Sequence, residues 1–191
     1  MKVGLFFGSF NPIHIGHMAI AGYIVEFTDL DQVWFVVSPH NPHKQKETLL
    51  EFHHRLEMVY LSVGNDPHFK ISDIESKMPQ PSFTIDTLSY LTEKYPGNEF
   101  ALIIGADNLR NFHKWKNSDK IIEKYHRYLY PRSDSEVIDI QSHPNSSLVN
   151  APKIEISSSF IRRGISEGKD MRYFLPEKVF EYIDRMNLYL K

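Results

Sequence analysis

The chain has no cysteine among its 191 residues, and that one absence removes disulfides, thiolate nucleophiles and cysteine-ligated zinc together. A cysteine-free composition suits a reducing compartment, so a cytoplasmic location is expected. Excess charge is missing as well. The 22 basic and 24 acidic residues give a formal net charge of −2, too little for a broad surface that wraps DNA or RNA, and no nucleic-acid partner is expected. No apolar run reaches the roughly 20 residues of a membrane helix, and no charged-then-apolar leader precedes the first apolar run. The expected molecule is soluble, makes no membrane contact, and folds as one domain over residues 1–191. Oligomeric state leaves no trace in one sequence, so a homo-oligomer stays open. Neither standard phosphate loop is present: there is no G-x-x-x-x-G-K-[ST] and no G-x-G-x-x-G.

What the chain does have is an apolar run from Val3 to Phe7 that leads straight into Gly8-Ser9-Phe10-Asn11-Pro12-Ile13-His14-Ile15-Gly16-His17. Ile20, Tyr23, Ile24 and Phe27 then recur at helical spacing. A strand handing over to a helix is where α/β folds hold phosphate. His14 and His17 stand three apart, so a helix already begun at His14 projects both rings from one face near its amino end. Two imidazoles beside a helix dipole donate to phosphate oxygens. Gly8 and Gly16 let the backbone approach a ligand, and Pro12 stiffens the turn. The plain alternative is one histidine capping the turn and the other packed in the core.

Further along, residues 32–37 and 99–105 are continuous apolar runs suited to strands covered on both faces. Shorter strands are expected at 69–72, 128–130 and 153–156. Helices are expected at 49–63, stopped by Asn65-Asp66-Pro67, and through Leu88 and Leu91 after a cap at Ser82 or Thr84. Two more should follow Ser157-Ser158-Ser159 and start at Pro176. The stretch 133–152 reads as loop. Strands alternating with helices predict an α/β, Rossmann-like doubly wound parallel sheet with helices on both faces and ligands at its carboxyl edge. The opening turn, the proline-broken loop 39–44, Asp107 and the segment 157–162 would then face one cleft.

Ile156-Ser157-Ser158-Ser159-Phe160-Ile161-Arg162 offers free helix amides, hydroxyls and a guanidinium one turn later, a set matched to phosphate oxygens. An ordinary capped helix is its other reading. Together with the decapeptide at 8–17, this segment resembles the paired signature of the nucleotidyltransferases that share a Rossmann-like fold. Pro42-His43-Lys44, Ser82 to Leu88, and Gly105-Ala106-Asp107 followed by Trp115 make the chain most similar, over nearly its whole length, to bacterial nicotinate-nucleotide adenylyltransferases. Three positions depart from the common pattern: Asn11 stands where many relatives carry Asp, Ser159 where Thr is commoner, and Phe83 where Tyr is frequent.

The resemblance implies attack by the phosphate of nicotinate mononucleotide on the α-phosphorus of ATP, with no covalent enzyme intermediate. It gives His14 and His17 the ATP phosphates, with His17 nearest the reacting centre, and gives Lys44 and Arg162 the departing pyrophosphate. It places Gly8, Ser9 and Phe10 at the junction of the two substrates, and Ser157, Ser158 and Ile161 on ATP. Gly105 and Asp107 go to the adenosine part, although Asp107 is also suited to cap a helix. Thr84 and Trp115 go to the pyridine ring, although a tryptophan also suits the core; Lys116 and Arg132 are further phosphate candidates. Magnesium is expected to arrive bound to the ATP phosphates, without a protein metal site. Rival readings keep the fold with nicotinamide mononucleotide, phosphopantetheine or a cytidylyl-transfer substrate, keep the pocket as a sensor without turnover, or treat the histidines as structural coincidence.

Overall fold

Strands that are apolar at every position need cover on both faces, and this sheet has it. The computed structural model describes residues 1–39, 49–131 and 142–190. Its strands are β1 (Lys2–Gly8), β2 (Gln32–Val37), β3 (Phe69–Ser72), β4 (Glu99–Gly105), β5 (Arg127–Tyr130) and β6 (Ser146–Leu148). All neighbours pair in parallel, in the order β3-β2-β1-β4-β5-β6. Val3, Leu5, Trp34 and Val36 face one side, where they meet α3 (Thr84–Lys94) and α4 (Ser118–Lys124). Phe6, Val33, Phe35 and Ile103 face the other, under α1 (Ile15–Phe27), α2 (Phe52–Val63), α5 (Ser158–Ser166) and α6 (Glu177–Arg185).

The winding direction reverses between β1 and β4. Their carboxyl ends, Gly8 and Gly105, therefore flank the crevice where such sheets take ligands. Among the described residues no helix is long and apolar enough to cross a membrane.

Four expectations about elements are corrected. The helix expected from 49 begins at Phe52, because the chain before it folds back to the opening turn, where Leu50 N–H donates to Asn11 Oδ1. Phe83, and neither Ser82 nor Thr84, occupies the cap position of α3, with no side-chain cap bond. Pro176 is the cap residue of α6 and not its first helical residue. The last strand is β6 at Ser146–Leu148, inside the stretch read as loop, whereas 153–156 is irregular. His126 explains that strand: its ring bonds Asn145 Oδ1 at 3.1 Å and Ser147 Oγ at 2.9 Å, docking a polar tripeptide against the sheet edge.

Candidate active site

The opening turn is tightened by rings. Phe10 holds a positive φ of 45°, which turns its side chain back into the core against Phe6, Phe35 and His17. A Cβ on Gly8 would lie 2.8 Å from the Phe10 ring, and one on Gly16 would lie 3.0 Å from His14 Nδ1. The bare backbone at both glycines thus makes room for neighbouring rings.

His14 is the cap residue of α1 and is 5% exposed. The helix therefore starts one residue later than a shared face requires, yet the two imidazoles still lie against each other, tilted by 35° with 3.7 Å between centroids. The backbone N–H of His14 donates to His17 Nδ1 at 3.2 Å. An accepting Nδ1 leaves the ring proton on Nε2, so neutral His17 is poised as a donor from its far edge.

Across the cleft, Ser157 caps α5 by accepting from Phe160 N–H at 3.2 Å. Ser158 Oγ donates to the Pro12 carbonyl at 2.8 Å, and Arg162 Nη1 donates to the Asn11 carbonyl at 2.8 Å. These bonds stitch the two motifs together although they are separated by almost the whole chain. The chamber so formed measures about 420 Å³ and is lined by Ser9, Asn11, His14, His17, Ser157, Ser158, Ser159 and Arg162 among others, with no Asp or Glu among the described residues. Two helix amino ends, imidazoles and a guanidinium make it a site for anionic oxygen.

A second chamber of about 380 Å³ lies on the other side of His17 and shares Ser9, His17 and Ser158 with the first. Gly8, Phe10, Thr84, Gly105, Asp107 and Trp115 line it, so Gly105 and Asp107 stand with Thr84 and Trp115 and not with Arg162. Gly105, not Asp107, holds the cap position of the 3-10 segment Ala106–Lys114. Trp115 is half-buried, packed against Phe112 at 5.0 Å between rings. Lys116 also lines this chamber, but its ammonium pairs with Asp86 at 2.8 Å and lies over the Phe83 ring.

Ile161 lines neither chamber. It is fully buried on the apolar stripe of α5 and its N–H is spent on the Ser157 carbonyl, so its expected contact with ATP is withdrawn. Lys44 and Arg132 lie outside the described residues.

Sequence reasoning missed Arg55. It is fully buried on α2 and donates to the carbonyls of Leu50, Ser9, Ser38 and Pro39, bracing the loops after β1 and β2 at once. Desolvation pushes its guanidinium down to about 10. A signal existed: Arg55 shares the buried stripe of Met58 and Val59, where an arginine needs a reason. Tyr189 was missed too. Its hydroxyl donates to Asn11 Oδ1 at 2.9 Å, the oxygen that also receives Leu50 N–H. One amide oxygen thus ties the carboxyl-terminal segment and the chain before α2 to the opening turn.

Fold and site together define the class: a Rossmann-like nucleotidyltransferase with helix amino ends and imidazoles at its cleft and no P-loop motif in its sequence. Residues 5–164 match the family model described as cytidylyltransferase-like. The chain is 53% identical over 193 residues to a probable nicotinate-nucleotide adenylyltransferase of Flavobacterium johnsoniae, covering 100% of both. A namesake from Bacteroides fragilis is 47% identical over 95% of this chain and 90% of its own. The chain belongs to the cytidylyltransferase-like family and, within it, to the nicotinate-nucleotide adenylyltransferases. Among solved structures, Plasmodium falciparum nicotinic acid mononucleotide adenylyltransferase complexed with NaAD superposes with a TM-score of 0.85 over 98% of this chain and 97% of that one. At 24% identity that likeness speaks to the fold.

Proposed function

We propose that the protein transfers the adenylyl group of ATP to nicotinate mononucleotide, releasing nicotinate adenine dinucleotide and pyrophosphate in NAD biosynthesis. The observation that carries this reading is the border of the two chambers: Ser9, His17 and Ser158 belong to both, as a reaction joining two nucleotides through phosphate requires. An oxygen of the acceptor phosphate forms a bond to the α-phosphorus, and the bond to the oxygen bridging α and β breaks. With little covalent work for the protein, positioning and charge neutralisation supply the catalysis. His17 Nε2–H donates to the α-phosphate as charge builds there. His14, the α5 amides, Ser157, Ser158 and Arg162 hold the oxygens that leave as pyrophosphate, with Lys44 assigned there on the resemblance.

Trp115 and Thr84 take the pyridine end, and Asp107 accepts from a ribose hydroxyl. Gly8, Ser9 and Gly105 supply backbone. Among the described residues no carboxylate lines the first chamber, and its donors fit phosphate better than a bare dication; magnesium, bound through the ATP phosphates, would supply further charge neutralisation. The cytoplasm is the compartment proposed.

The test measures pyrophosphate release with ATP, magnesium and either nicotinate or nicotinamide mononucleotide. Release far faster with the acid is expected. Equal or reversed rates reject the preference for the acid, and tight nucleotide binding without product returns the sensor reading.

A further inference from the structure

Glu75 stands where a carboxylate is costly. It lies on the short 3-10 turn Ile74–Lys77, is 3% exposed, and lines the second chamber. No lysine, arginine or histidine among the described residues forms an ion pair with it. Burial pushes its carboxyl above the usual carboxylate range, opposed by the hydroxyls of Ser38, Thr87 and Ser82. An apolar side chain of similar size would avoid that desolvation cost. It would also leave Thr87 Oγ1 the Phe83 carbonyl, already 3.4 Å away. Packing alone therefore does not account for an acid here.

Glu75 holds the chain that follows it at two places, once through its carboxylate and once through its backbone carbonyl. Thr87, fully buried on α3, donates its hydroxyl to Glu75 Oε1 at 3.0 Å. Gln80 Nε2 donates to the Glu75 backbone carbonyl at 2.5 Å. Between those two attachments run Ser82, Phe83 and Thr84, all lining the second chamber. On the outer side the Lys116 ammonium, next to Trp115, bonds Asp86 and covers the Phe83 ring. The segment is thus held from inside by an acid and from outside by an ion pair.

We propose that Glu75 is a positioning residue for the acceptor nucleotide, clamping the segment 80–87 so that Phe83 and Thr84 keep their place in the chamber wall that includes Trp115. The inference rests on the second chamber being the acceptor's place. It assigns selectivity to a residue that acts through its neighbours, and it predicts a defect confined to one substrate.

The full-length wild-type chain, Glu75→Gln, Glu75→Leu and Thr87→Val are compared by calorimetric titration with nicotinate mononucleotide and by steady-state kinetics. Gln keeps an acceptor for Thr87; Leu removes it; Thr87→Val removes the same bond from the other partner without creating a cavity. Glu75→Leu and Thr87→Val are expected to raise the Kd and KM for nicotinate mononucleotide about tenfold, while the KM for ATP stays within about twofold. Glu75→Gln should return close to wild type. Equal shifts in both KM values, no shift, or a Gln variant as impaired as the Leu variant would overturn the clamp. If Glu75→Leu does not fold, Thr87→Val decides alone. A wild-type chain that forms no dinucleotide sinks the functional reading itself, whereas an active wild type with an unaltered Thr87→Val sinks only the clamp.

Discussion

The first chamber is walled by helix amino ends, imidazoles and serines, the second by rings, hydroxyls and a buried acid. Around Arg162 the walls are the amino ends of α1 and α5 with His14, His17 and Ser157 to Ser159, and the nearby carbonyls of Asn11 and Pro12 are held by donors from the far motif. Around Trp115 they are rings, hydroxyls and a buried acid, held by side-chain bonds such as Thr87 to Glu75 and Lys116 to Asp86. Backbone amides and a helix dipole read charge and little else, which suits a triphosphate whose phosphate oxygens are the feature to be held. Side-chain walls read outline and hydrogen-bonding pattern, and that is what tells one acceptor from another. Under the proposed function this is a division of labour: charge is met in the first chamber and outline in the second.

Arg55 lies beneath both chambers, because its guanidinium serves Ser9 at their border and Ser38 in the second. Arg55→Met leaves four carbonyls without their donor and, at about 1 kcal/mol each, should cost about 4 kcal/mol in chemical denaturation. A loss below about 1 kcal/mol would mean that the two halves do not share this brace. Next in size is His17→Ala. It should lower kcat/KM several hundred-fold, on the order of 3 to 4 kcal/mol for one lost donor at the reacting centre, with the KM for ATP little changed. Turnover that survives the change nearly intact would remove His17 from the border role. The smallest effect is Trp115→Ala, expected to raise the KM for the acceptor about tenfold through lost stacking. Should the KM for ATP rise as much, the two chambers do not divide the substrates.

Much of this arrangement was legible beforehand, for reasons particular residues make plain. Runs such as Val33 to Val37 and Phe100 to Ile104 admit one environment, so strands buried on both faces and a parallel sheet followed from them. Ser157, placed before an apolar stripe, announced its own cap. What escaped depended on partners distant in sequence. The tripeptide Ser146 to Leu148 has no strand pattern and is docked by the ring of His126. Ile161 follows a run of serines that line the first chamber, yet its position on the helix turns it inward. Arg55 could have been suspected from its stripe, but its four acceptors come from three separate turns of chain.

By itself, the order of residues determined the alternating architecture, the place of the first crossover and the kinds of donor near it, because periodicity, caps and turn chemistry act over a few neighbours. Only the folded molecule decided that Ser9, His17 and Ser158 form a border between two chambers, that Gly8 and Gly16 yield their space to rings, and that Glu75 is buried against Thr87. Those outcomes require segments far apart in the chain to arrive at one point, and their energies arise from contacts that do not exist until the sheet has brought them there.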